Sequence, residues 1–205
     1  MRSPGTLALV EEAMSAAWQE LDRQLPGVRS AEEVHAVIVL GGVPGWIHLT
    51  VWPTEDNVAK IPACAVHELS HNVRYANVAW NPMTVTVGEQ VIAEGLAEAF
   101  VRELHGDEAV GPWTKTLHGE ELVRAEQIIA DAVGLAGMQN LTPYVHGDET
   151  TLRMGGQPVG LPHGAGYAVG LAWVDRHLAV TGLTASESTV LPATEILRNA
   201  GIATQ

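Results

Sequence analysis

The stretch Ala65-Val66-His67-Glu68-Leu69-Ser70-His71-Asn72-Val73-Arg74 most restricts what this chain can become, because it carries the pattern H-E-x-x-H. Residues four apart on an α-helix stand nearly one above the other, so His67 and His71 project from one face and can hold a single cation between them. Glu68 lies about 100° round the same helix. There it can take a proton from water activated by the cation without being a ligand. Two imidazoles beside a general base are the working parts of a hydrolytic zinc site. The plainer alternative is a surface helix that carries two histidines. Catalytic zinc takes three protein ligands and keeps a fourth position for water or substrate. The fold must therefore bring a third donor to this helix.

Two routes to that donor can be checked along the chain. The extended pattern of metzincins places a Gly three residues after the second His and a third His three residues later. Arg74 and Asn77 stand at those positions, which closes that route. The second route takes a Glu from another helix, giving a two-His, one-Glu set. Val91-Ile92-Ala93-Glu94-Gly95-Leu96-Ala97-Glu98-Ala99-Phe100 supplies Glu94 within an apolar stretch. Glu98, one turn on and on the same face, suits accepting the free N–H of a ligand histidine and fixing its tautomer. Cys64 lies three residues before His67 and could approach the cation, although a small buried hydrophobe is the simpler role.

His67-Glu68-Leu69-Ser70-His71, Glu94-Gly95-Leu96-Ala97-Glu98 and the later Gly166-Tyr167-Ala168-Val169-Gly170 together resemble the YjaZ-like predicted zinc-dependent proteases, a branch of the gluzincins, over roughly residues 30 to 200. The resemblance implies a zincin fold, one zinc ion and hydrolysis of a peptide or protein. It supplies no particular substrate.

The 205 residues, 46% of them hydrophobic, suit one compact domain spanning 1–205 with an ample core. A formal charge of -13, with only 11 Lys and Arg, argues against a nucleic-acid surface or attachment to anionic membranes. The single cysteine excludes an intramolecular disulfide and suits a reducing compartment. The opening residues show no signal-peptide core, and no apolar run is long enough to span a bilayer. The expectation is a cytoplasmic protein, with its oligomeric state left open.

Periodicity predicts a helix over Leu7 to Leu25, ended by Pro26-Gly27. Strands are predicted over His35–Leu40 and Trp46–Trp52, with His48 facing water. The active helix should run from Pro62 to Ala76, and a second from the Thr86-Val87-Gly88-Glu89 capping box to about Leu104, before Gly106. A third helix is expected over Glu120–Val133. The Gly- and Pro-rich residues 134 to 162 read as an irregular loop of the kind that covers active sites, carrying Tyr144 and His146 as minor candidates. A further helix beginning near Pro162 or His163 and stopped by Gly182 would put His163 and Tyr167 on one face. The chain then closes with a short helix after Thr184 and Leu191–Asn199. The fold class expected is α+β and mostly helical: zincin-like, a small N-terminal sheet packed on the H-E-x-x-H helix, and a helical C-terminal part.

These residues predict a zinc metallopeptidase with His67, His71 and Glu94 as ligands, Glu68 as general base and Glu98 supporting a ligand. Tyr167, or else His163, would donate a hydrogen bond to the oxyanion. An alternative keeps the site but acts on a small amide or specialised metabolite. Another is a zinc-containing binding or regulatory module, against which the base Glu68 counts, because structural zinc needs no base and usually has four protein ligands.

Overall fold

The computed structural model describes residues 4–28, 35–37, 46–48 and 58–203. Helix α1 (Pro4–Gln24) packs on α2 (Ile61–Asn77), which packs in turn on α3 (Val87–His105). Helices α4 (Gly119–Ala130), α5 (Leu141–Val145) and α6 (Asp148–Arg153) lead to α7 (Ala165–Thr181), and α8 (Ala185–Ser188) and α9 (Ala193–Asn199) end the described chain. Short 3-10 turns at Val58–Lys60, Asp107–Ala109, Pro112–Lys115 and Met138–Asn140 join these elements. No helix among the described residues is long and apolar enough to cross a membrane.

The expected α+β fold with a small N-terminal sheet is corrected. Among the described residues the body is helical, and extended backbone amounts to β1 (His35–Val37) and β2 (Trp46–His48), paired in parallel over three residues each. Three residue pairs on two strands do not form a sheet layer, since such a pair is marginal by itself. The rest of the predicted strands, 38–40 and 49–52, and the side chain of His48 lie outside the described residues. Strand-like patterning of apolar residues reports local preference, whereas a sheet layer needs further strand partners, and among the described residues there are none.

The middle of the fold is α3, buried along most of its length through Val91, Ile92, Leu96 and Phe100 among others. A helix apolar on nearly all sides must be surrounded by other elements, and here α2, α7, α9 and α5 surround it. Thr86 caps it, its side chain accepting from the Glu89 backbone N–H at 3.1 Å. The Glu89 carboxylate is taken by Arg74, whose Nε donates to Oε1 at 2.7 Å. Arg74 is wholly buried, and its Nη1 also donates to the carbonyls of Thr189 and Leu191 at 2.9 and 3.0 Å. One guanidinium thus ties α2 to the start of α3 and to the turn after α8.

Helices α3 and α7 approach backbone to backbone. A Cβ added at Gly95 would lie 2.2 Å from the carbonyl carbon of Gly170, and one added at Gly170 would lie 2.2 Å from the carbonyl oxygen of Val91. The helix backbones touch there, and a side chain at either position would force them apart.

Residues 134 to 162 are not an irregular loop. They hold a 3-10 turn and the helices α5 and α6, too short to show a hydrophobic period. Asp148 accepts from the backbone N–H groups of Val159 and Gly160 at 2.8 and 2.9 Å, which folds the remainder back. Helix α7 also begins later than expected, at Ala165, because Gly164 at its N-cap has left-handed backbone (φ 72°). His163 therefore precedes the helix and does not share a helical face with Tyr167.

The Gly95 contact generates a test of this packing. Gly95→Ala should lower unfolding free energy by at least the roughly 1–3 kcal/mol that overpacking costs, measured by urea denaturation. Gly134→Ala, where an added Cβ meets nothing within 4 Å, should change it by less than about 0.5 kcal/mol.

Candidate metal centre

Three ligand atoms converge where α2 crosses α3. His67 Nε2 and His71 Nε2 are 3.0 Å apart, and each lies 3.2 Å from Glu94 Oε2. Tetrahedral zinc with bonds of about 2.0–2.1 Å to nitrogen and oxygen would set neighbouring donors about 3.3 Å apart. The triangle matches that spacing closely, and among the described residues these three could hold a metal ion. The donor chemistry fits as well, with two borderline imidazoles and one carboxylate of the kind zinc accepts.

The electrostatics point the same way. Burial disfavours the carboxylate of Glu94, yet the charge of His71 and hydrogen bonds from both histidines outweigh it and hold Glu94 well below the usual carboxyl range. Burial also disfavours a charged His67, but its bonds to Glu94 and Glu98 win and raise its pKa well above that of a free imidazole. The cluster demands a positive charge at its centre. A proton can meet that demand, and so can a metal ion, so the two compete.

Glu98 is fully buried and lies behind His67, its Oε1 3.1 Å from the ring Nδ1. It also accepts from the Gly111 backbone N–H and from Trp113 Nε1–H, each at 2.8 Å. Burial works against its ionisation, but the His67 contact and these two donors keep its pKa below normal. A carboxylate so anchored holds the His67 ring with Nε2 turned toward His71 and Glu94.

Glu68 is half-buried and faces a cavity of about 420 Å³ together with His67, Tyr167, Cys64 and Trp113. Most of the wall is apolar, with Ile61, Val101 and Val110 contributing. Burial pushes the Cys64 thiol up, so Cys64 stays neutral there and lines the wall rather than joining the converging donors.

Tyr167 enters this region from α7. Its ring centroid is 6.3 Å from that of His67, 5.6 Å from Trp113 and 6.0 Å from His146. Burial, reinforced by the negative charges of Glu94, Glu68 and Glu98, raises its pKa far above that of a free phenol, so the hydroxyl remains a donor. Gly166 lets α7 lie on the α5 backbone, since a Cβ there would fall 2.6 Å from Val145 Cα. That contact seats the neighbouring Tyr167. His163, the expected second choice, and His146 are both exposed, and the His146 ring lies beside that of Tyr167. Tyr144 lines a separate cavity with Met138 and Met154.

Sequence reasoning missed Gly111, Trp113, Tyr75 and Gln90. Tyr75 follows His71 by one helical turn and Gln90 precedes Glu94 by one, so the i±4 rule could have found both. Nothing local signals that Gly111 and Trp113, in an irregular turn, fold back onto Glu98.

Two part-buried histidines and one buried carboxylate on packed helices, with an adjacent acid facing a cavity, make a cluster that could hold a metal ion. The chain belongs to the predicted Zn-dependent protease family DUF2268, which it matches over residues 10–198. It is similar to the uncharacterized protein YjfC of Bacillus subtilis strain 168, with 36% identity over 162 residues, 79% of this chain and 54% of that protein. The chain thus spans about half the length of this curated relative. No solved structure matches it.

Removal of the Glu98 carboxylate tests the support of His67. Glu98→Ala should weaken zinc binding by roughly 10- to 100-fold in a chelator-competition titration, with the first coordination sphere unchanged by X-ray absorption. Glu94→Ala should instead lose one oxygen donor from that sphere.

Proposed function

We propose that the protein is a zinc-dependent metallopeptidase, with one zinc ion held by His67, His71 and Glu94. The observation that carries this reading is the convergence of those three donors, one of which, His67, lines the adjacent cavity together with Glu68. Zinc bound there would supply Lewis acidity, making water more acidic and a peptide carbonyl more electrophilic. Glu68 takes the proton from the attacking water and returns it to the leaving amine. The protonated Tyr167 hydroxyl donates to the developing oxyanion, and His146, whose ring lies beside it, can assist. Glu98 keeps His67 in register throughout.

The substrate in this reading is a peptide or protein, in keeping with the family's description. The apolar wall formed by Ile61, Val101 and Trp113 would receive an apolar side chain next to the scissile bond. The same cavity supports the second reading, a small apolar amide as substrate. A digest of an unbiased peptide library by the zinc-loaded protein separates the two, since cleavage of peptides at apolar positions is expected only of the first.

Glu68→Gln keeps the size of the side chain but cannot accept the proton. Hydrolysis should fall by about 10²- to 10⁴-fold with zinc content intact. Tyr167→Phe should slow turnover by about 10²- to 10³-fold. If it does not, and His146→Asn does, the oxyanion donor is His146. Wild-type function in both Glu68→Gln and Tyr167→Phe would favour a zinc-containing binding module over an enzyme.

Ala63 lines the cavity from α2, so Ala63→Phe would fill part of it. This substitution should lower kcat/KM for peptides with a large apolar residue at the preferred position by about tenfold or more, while peptides with alanine there are cleaved as before.

A further inference from the structure

The two histidines of the cluster are held in different ways. His67 has Glu98 on its outer nitrogen, but His71 Nδ1 is buried with no hydrogen-bond partner among the described residues. The His71 ring lies instead against Tyr75, one turn on, with centroids 5.6 Å apart and planes 12° from parallel. Tyr75 is backed in turn by Trp80, stacked at 4.4 Å.

The Tyr75 hydroxyl leads back to the third donor. It lies 3.4 Å from Gln90 Oε1 and 3.2 Å from Gln90 Nε2, and Gln90 Nε2 donates to Glu94 Oε1 at 2.9 Å. The amide orientation follows from charge, because a flipped Gln90 would set its carbonyl oxygen against the Glu94 carboxylate. With Nε2 committed to Glu94, Oε1 is free to accept from the Tyr75 hydroxyl. Holding Glu94 Oε1 in this way leaves Oε2 as the oxygen equidistant from both histidine nitrogens.

We infer that Tyr75 and Gln90 form a positioning pair for the metal centre, Gln90 restricting Glu94 to one ligand oxygen and Tyr75 both orienting Gln90 and bracing the His71 ring. The inference rests on the zinc reading above. The pair touches no reacting atom and acts through Glu94 and His71. It takes the place on this side of the site that Glu98, Gly111 and Trp113 hold on the other. A monodentate Glu94 also leaves more of the coordination sphere open for water or substrate than a bidentate one would.

Zinc titration of the metal-free full chain against a chromophoric chelator tests the pair. Gln90→Met, which keeps length and helix preference, should weaken binding by about 10- to 100-fold, titrated at a temperature where the metal-free variant is fully folded. Tyr75→Phe keeps the ring stack and loses only the hydroxyl, so it should weaken binding less, in the same direction. Because Gln90 acts through Glu94, Gln90→Met should have no further effect in a Glu94→Ala background. An equal loss in that background would show a merely structural effect and overturn the inference. Wild-type zinc affinity in both Gln90→Met and Tyr75→Phe would also overturn it, leaving the zinc reading intact. A wild-type protein that binds no zinc would remove the zinc reading itself.

Discussion

The structure depends on a carboxylate placed where carboxylates are rarely tolerated. Glu94 is only 6% exposed, in the middle of the most enclosed helix of the fold. An unpaired buried charge costs several kcal/mol, so α3 can occupy the centre only if other groups meet that charge. His67 and His71 meet it from α2, and Gln90 meets it from α3 itself. The packing of these two helices and the assembly of the site are therefore one event. Its electrostatic result is a histidine drawn toward the charged form between acidic neighbours.

Rigidity around that cluster comes from contacts with little freedom to adjust. The backbones of α3 and α7 touch at Gly95 and Gly170, and Gly166 seats α7 on α5, so Tyr167 is carried toward His67 by helices rather than by a mobile loop. Arg74 clamps the far side of α2 to α3. Donors mounted on elements packed in this way keep a productive geometry better than donors on loops do. Three sequence blocks far apart in the chain thus have one physical purpose. The first carries His67, Glu68 and His71, the second carries Glu94 and the glycine that admits α7, and the third carries Gly166, Gly170 and Tyr167.

A cavity lies beside the cluster and shares His67 and Glu98 with it. Glu68 and Tyr167 face it from opposite elements, and its remaining wall is mostly apolar. The turn that supplies Gly111 and Trp113 to Glu98 supplies part of that wall as well. Support for a metal ligand and the shape of the pocket are consequently coupled through Trp113, which bonds to Glu98 at its Nε1 and packs its ring near Tyr167.

Much of this was determined locally and could be read without the fold. The spacing of His67 and His71, the apolar run around Glu94 and Glu98, and the Thr86 cap and Gly106 stop of α3 all follow from helical period and end chemistry, which act within a few residues. Glu94 stood out because a carboxylate in an apolar run needs a partner. The tertiary structure alone decided what depends on residues distant in sequence. Among the described residues it left the expected sheet as two paired three-residue strands, because pairing needs neighbours that local preference does not supply. It turned residues 134 to 162 into short helices whose stability comes from packing and from Asp148 rather than from period. It started α7 at Ala165, leaving His163 ahead of the helix, and set the His146 ring beside Tyr167. It also folded Gly111 and Trp113 onto Glu98, a contact for which side-chain spacing along the chain has no signature.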